Sequence, residues 1–172
     1  MRWFLIDRFL EFQSGRRARA IKTITLAEEY LHDHFPAYPV FPNSMVIEGM
    51  GQTAMFLACE AIGYSQLILL AKVGGARFEG EAVPGDTLVY TATIQSIKPE
   101  GIAATVTGER RGEPYSAADL LFTRIDDPAT DRPDADLLEM ARWMRILGVF
   151  TVGVAADGSR LAQPAILTRA DM

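Results

Sequence analysis

From Met45 to Cys59 every residue except Glu48, Gln52 and Thr53 is apolar or glycine. A helix that is apolar on all sides has no solvent face, so it belongs inside a core and the rest of the chain must wrap it. Asn43 or Ser44 is placed to cap such a helix, which is expected to run to Ile62 with Gly63 just past its end. Gly49, Gly51, Ala54, Ala58 and Ala61 keep its sides thin enough for close packing. The run is shorter than the roughly 20 residues needed to span a bilayer. It is therefore read as the central element of one globular core.

What wraps it is legible as strands. After the helix come "QLILLAKVGGARF", "TLVYTATIQSIK", "GIAATVTGERR" and "PYSAADLLFTRI", divided by "AVPGD", "PEG" and "RGE". The runs are rich in Val, Ile, Thr and aromatics, and the dividers are turn formers. Ahead of the helix, "RFLEFQSGRRARAIKTIT" reads as a hairpin turning at Gln-Ser-Gly, and "LAEEYLHDHF" as a short helix ended by Pro36. The class is thus α+β, an antiparallel sheet with one helix across it. From Asp126 a Pro- and Asp-rich stretch without apolar period reads as a linker. Beyond it "LLEMARWMRILG" puts Leu137, Met140 or Ala141, Met144 and Leu147 at helical spacing, closed by Gly148. A short strand pair is expected around the Asp-Gly near the end. The chain divides into a principal unit, 1–125, and an extension, 126–172.

Bulk properties exclude several partners. In 172 residues, 17 Lys and Arg stand against 22 Asp and Glu, so the net charge of -5 offers no general attraction to nucleic acid or an anionic membrane. The single Cys59 forms no internal disulfide, and Asp7 and Arg8 interrupt the opening apolar residues. These features suit a soluble protein of a reducing cytoplasm without a signal segment. The "HDH" of residues 32–34 lacks a further ligand set, so no metal is expected.

Glu48 is the exception that needs a reason. A carboxylate in an apolar helix requires a hydrogen-bond partner, a helix N-terminus or an exit to water. Gln52, one turn on, lies on its face, and the helix start is near. Fourteen residues upstream, His34 opens a loop stiffened by Pro36, Pro39 and Pro42. Imidazole and carboxylate are the usual pair for moving protons near neutral pH. From the residue types alone, Glu48 stays open between a locally stabilised or solvated carboxylate and a catalytic one.

The stretch "HFPAYPVFPNSMVIEGMGQ" resembles the active-site segment of the 3-hydroxyacyl-acyl-carrier-protein dehydratases, the FabZ and FabA-type enzymes. Their pattern is His-Phe-Pro-Gly-x-Pro, then Pro-Gly, then a helix carrying a carboxylate with Gln four residues later. "GGARFEGEAVPGDTL" is similar to a second family segment, and "FLIDRFLEFQSGRRARAIKTIT" to the family's opening hairpin. The likeness spans about residues 3–125. It implies a hotdog fold, a curved antiparallel sheet around a long central helix, here followed by a C-terminal extension. It also implies homodimers, often gathered as trimers of dimers, with the histidine of one chain facing the carboxylate of the other.

Carried over by position, His34 is the base that removes the C2 proton of a 3-hydroxyacyl thioester. Glu48 protonates the departing hydroxyl, directly or through a water, and Gln52 orients Glu48. The backbone N–H of Asn43 stabilises the thioester oxygen. No cofactor is implied. The chain departs from the pattern at Ala37 and Asn43, where the family has glycine, and at Ser44, where a hydrophobic residue is common. A left-handed backbone at position 43 would suit asparagine better than most replacements. These changes imply an altered substrate or a weakened activity.

An acyl tunnel would draw on Met45, Met50, Met55, Phe56 and Phe78. The partner implied is an acyl-carrier protein bearing a 3-hydroxyacyl phosphopantetheine thioester. Its acidity matches Arg16, Arg17, Arg19 and Arg77. The leading expectation is dehydration of (3R)-hydroxyacyl groups on that carrier, in fatty acid synthesis or a related specialised lipid or polyene pathway. A thioesterase and a non-catalytic acyl-binding subunit on the same scaffold are the alternatives.

Overall fold

The computed structural model describes residues 3–125 and 133–170. The apolar run forms the helix α1, Asn43–Ala61. Around it lie β1 (Arg8–Gln13), β2 (Arg17–Thr23), β3 (Leu67–Phe78), β4 (Thr87–Lys98), β5 (Gly101–Arg110) and β6 (Glu113–Ile125). With a short β7 (Gly153–Val154), the sheet order is β3-β6-β5-β4-β2-β1-β7. Every pairing is antiparallel except β1 with β7. α1 touches β2, β3, β4, β5 and β6, so the sheet curls about it as the expected hotdog arrangement requires.

Period-two burial shows why. Leu88, Tyr90 and Ala92 of β4, Ile102, Ala104 and Val106 of β5, and Ala118, Leu120 and Phe122 of β6 all point at α1 and are buried. On the helix Val46, Met50, Ala54, Leu57 and Ala58 are buried against them. Burial also pushes the Cys59 thiol up to about 12, which keeps it an apolar core group in place of a nucleophile.

The helix and sheet meet most closely at Gly49. A methyl group there would stand 2.6 Å from Tyr90 Cε2 and 2.8 Å from the Leu5 carbonyl oxygen. Gly49→Ala is therefore expected to cost about 1–3 kcal/mol, despite alanine's better helix propensity. A denaturant titration with an unchanged midpoint would refute the packing argument.

Three local expectations change. "LAEEYLHDHF" forms only a 3-10 turn, Glu29–Leu31. The Glu28 carboxylate instead accepts from Lys22 Nζ of β2 at 2.6 Å and, within the segment, from the Tyr30 hydroxyl at 2.8 Å. The bond to Lys22 and this local one outweigh the weak helical preference of so short a segment. α1 is not capped by Asn43 or Ser44, because Pro42 is the N-cap, with φ -60 and ψ 136, and no side chain caps the helix. Asn43 is the first helical residue. Glu48 accordingly sits in the second turn, beyond the strongest part of the helix dipole.

The C-terminal segment folds back on the same core. α2 (Pro133–Ile146) starts on a proline suited to the first helical position. It buries Leu137, Ala141 and Met144, and Leu147 follows them inward. Gly148, at φ +82, turns the chain into a short helix α3 (Val149–Val152) and then β7. The Leu147 carbonyl accepts from Phe9 N–H at 2.8 Å, tying this segment to β1. The Asp-Gly turn brings Val154 opposite Arg160, and α4 (Ala165–Ala170) closes the chain with Leu167 buried. Of the expected linker, residues 126–132 lie outside the described residues.

Candidate active site

His34 lies in the loop between the 3-10 turn and α1, and several bonds fix that loop. The Phe41 N–H donates to Ala82 O at 2.8 Å, pinning it to the β3–β4 connection. The Tyr38 hydroxyl donates to Glu81 Oε2 at 2.7 Å on the same connection. Within the loop, Val40 N–H donates to His34 O at 2.9 Å, and Phe35 and Tyr38 exchange backbone bonds. The His34–Phe35 peptide is cis, and the two rings stack with centroids 4.2 Å apart.

His34 Nδ1 stands 3.1 Å from the Val40 carbonyl oxygen. A carbonyl only accepts, so this bond requires the proton on Nδ1. In the neutral imidazole Nε2 then carries the lone pair. The loop thus presents a half-buried ring whose free nitrogen is ready to take a proton.

The turn that brings His34 round passes through Ala37 at φ 63. The left-handed residue is therefore at the first family glycine position, whereas Asn43 is helical and does not need the left-handed backbone that asparagine would have suited. A Cβ in that region costs about 1 kcal/mol. Ala37→Gly is expected to raise the melting temperature by about 2–4 °C. A lower melting temperature for the glycine variant would contradict it.

Asn43 opens α1, whose first N–H groups have no acceptor within the helix. Its side-chain Oδ1 accepts from the Tyr115 hydroxyl at 3.3 Å. Burial raises the Tyr115 hydroxyl above its usual range, so it remains a donor. The Asn43 side chain is held toward β6, and its backbone N–H can serve an incoming oxygen.

Glu48 emerges from α1 as an exposed carboxylate. Its partner is Gln52, only 2% exposed, whose Nε2 donates to Glu48 Oε1 at 3.0 Å and to Trp3 O at 2.9 Å. Gln52 Oε1 accepts from Leu5 N–H at 2.9 Å. Glu48 is solvated on one side and held by Gln52 on the other. The bonds to Trp3 and Leu5 are not legible in the sequence, since no spacing rule joins residues almost fifty positions apart.

Among the described residues no hydrogen bond or ion pair joins His34 to Glu48 within one protomer. Each is prepared separately: one has a free ring nitrogen and the other an oriented carboxylate. Together, such groups can remove a proton from carbon and return one to oxygen.

A FabA-like domain model matches residues 2–111. The chain belongs to the FabA-like dehydratase family. Its relatives include the 3-hydroxyacyl-[acyl-carrier-protein] dehydratase FabZ of Listeria monocytogenes, 31% identical over 127 residues, covering 73% of this chain and 88% of the relative. The FabZ of Polaromonas sp. is 37% identical over 98 residues, covering 55% and 68%. Solved structures of similar fold include the dehydratase heterocomplex ApeI:P from Xenorhabdus doucetiae, with a TM-score of 0.53 at 18% identity over 64% of this chain and 90% of that one. Another is smu.793 from Streptococcus mutans bound to acetyl CoA, with a TM-score of 0.59 at 10% identity over 73% and 93%. At these identities the structures speak for the hotdog fold alone.

The remaining expected residues of this FabA-like chain separate into groups. Met55 and Phe56 line a cavity. Met50 is fully buried, with its sulfur 3.7 Å from Ser116 Oγ. Met45 and Phe78 are partly buried against the core, Phe78 beside Tyr115. Arg17 and Arg19 alternate with the inward-facing Ala18 and Ala20, so they lie on the sheet face away from α1, near Glu11 and Glu109. Arg16 and Arg77 are exposed. Among the described residues no cluster suited to a metal ion occurs, and no helix is long and apolar enough to cross a membrane.

Proposed function

We propose that this protein dehydrates (3R)-hydroxyacyl groups carried on acyl-carrier protein to trans-2-enoyl groups, in fatty acid biosynthesis or a related lipid pathway. The observation that carries this reading is the paired preparation of His34 and Glu48 in a FabA-like chain. His34 Nε2 takes the C2 proton. The electron pair moves toward the thioester carbonyl, whose oxygen gains charge and is met by the Asn43 N–H. The C3–O bond breaks as Glu48 delivers a proton to the leaving hydroxyl, directly or through a water, and water departs. Transfer of the proton from His34 back to Glu48 resets the site.

The two groups meet across a homodimer in this reading. β3 is an edge strand twelve residues long. Its residues 71–77 are exposed, although Val73 is apolar. A long unpaired edge of this kind is a template for strand addition. In this reading two copies join along β3 with each His34 facing the partner's Glu48, as the family resemblance implies, and such dimers gather in threes. Arg16, Arg17, Arg19 and Arg77 remain the candidate carrier contacts, by charge alone.

The test is direct. Purified protein given a (3R)-hydroxyacyl group on carrier protein should generate the ultraviolet absorbance of a conjugated enoyl thioester while the thioester stays intact. Free thiol appearing without that absorbance would mean hydrolysis, the chemistry of a thioesterase. No change in either signal would leave the non-catalytic reading in its place.

A further inference from the structure

The first turn of α1 divides its backbone donors into two kinds. The Met45 and Val46 N–H groups both donate to Pro42 O, at 2.9 and 3.1 Å. The N–H groups of Asn43 and Ser44 have no acceptor among the described residues. In the dehydratase reading the Asn43 N–H is the donor that a thioester oxygen meets as it gains charge. The family pattern has glycine at this position, and asparagine brings a difficulty. Its carboxamide oxygen is itself an acceptor, and asparagine side chains compete readily for nearby backbone N–H groups. An unrestrained Asn43 side chain would turn onto the free donors or fill the space in front of them.

The restraint comes from β6. Tyr115, only 1% exposed, donates its hydroxyl to Asn43 Oδ1 at 3.3 Å. Asn43 is exposed, and among the described residues its carboxamide has no other partner. Tyr115 is itself well fixed. Its carbonyl accepts from Glu79 N–H at 2.7 Å, Phe78 lies beside its ring with centroids 6.4 Å apart, and the Arg110 guanidinium stands 5.1 Å from the ring centroid. The Tyr115 hydroxyl also accepts from the Ala82 N–H, which leaves its own proton for Asn43.

We infer that Tyr115 is a positioning residue for the oxyanion site: it draws the Asn43 carboxamide against β6 and keeps the Asn43 N–H open to the thioester oxygen. The inference rests on the dehydratase reading. It makes Asn43 and Tyr115 a pair, in which the tyrosine offsets the loss of the family's glycine.

A double-mutant cycle tests the pair. Phenylalanine keeps the ring and its packing, so Tyr115→Phe removes only the hydroxyl. It should lower kcat about fivefold, the worth of one modest hydrogen bond, and change KM by less than about twofold. Asn43→Gly keeps the backbone N–H and leaves no side chain to restrain. In that background the same Tyr115→Phe step should change kcat by less than about twofold. The bond lost by the Ala82 N–H is common to both backgrounds and cancels in the comparison. A merely structural role for Tyr115 predicts equal falls in the two backgrounds. Normal dehydration by the unaltered protein with equal falls would overturn the inference and leave the reading standing.

The second measurement needs no turnover. Asn43 is the only asparagine in the chain, so asparagine labelled with nitrogen-15 gives one pair of side-chain carboxamide proton signals. Tyr115→Phe should move that pair to the positions of a free asparagine while the melting curve stays cooperative. Carboxamide signals that ignore Tyr115→Phe would overturn the inference. A freed carboxamide in Tyr115→Phe, with no dehydration by the unaltered protein, would overturn the dehydratase reading and support the hold of Tyr115 on Asn43.

Discussion

His34→Ala should lower dehydration by about two to four orders of magnitude, the usual worth of a positioned general base. Glu48→Gln should do comparable damage, because an amide cannot supply the proton. The informative result is what happens when the two inactive proteins are unfolded together, mixed in equal amounts and refolded. In a mixed dimer one site has lost both groups, while the other joins an intact His34 to an intact Glu48. Random pairing should then restore about a quarter of wild-type activity. Neither variant refolded alone should recover any. If the mixture stays inactive although mixed dimers form, each site lies within one chain and the proposed assembly is wrong. Both substitutions fall at side chains outside the core, His34 half-buried and Glu48 exposed, so the oligomer is expected to survive them.

The second large effect is expected at Gln52, where Gln52→Leu should damage stability and turnover together. The leucine would leave Leu5 N–H without its acceptor in a buried position, and Trp3 O without its donor. Leaving such groups unpaired costs about 1–3 kcal/mol each, less for the more exposed Trp3. The melting temperature should fall by roughly 5–10 °C. Glu48 also loses the bond that aims it, so kcat should fall more than KM rises. Gln52→Glu is a useful companion: it can preserve one acceptor for Leu5 but sets a second carboxylate beside Glu48. A Gln52→Leu protein with wild-type melting and wild-type kcat would show that the network is dispensable.

The central helix and its companions are legible along the chain because their signals are local. Unbroken apolarity from Met45 to Cys59 forces burial, and four-residue spacing puts Gln52 beside Glu48. Strand runs and turn formers likewise place β3 to β6 by period-two patterning. Expectation and structure part where a short segment has competing options. "LAEEYLHDHF" has weak helical preference, and Lys22 of β2 captures Glu28. Asn43 has the chemistry of a cap or a left-handed residue, but Pro42 takes the cap and Ala37 takes the positive φ, because the loop must turn His34 back to Val40.

By itself, then, the sequence determined the class of fold and the helix at its centre, while its resemblance to the FabA-like family pointed to His34 and Glu48 as the candidate pair. Apolar periodicity carries the first two along the chain, and motif resemblance carries the third. Only the tertiary structure decided that Gln52 is locked by Trp3 and Leu5, that His34 keeps its proton on Nδ1, and that α2 returns to wall a cavity beside Met55. Those features depend on contacts between residues far apart in the chain or on the path of a loop. Such contacts are selected by packing the whole core, and no local propensity encodes them.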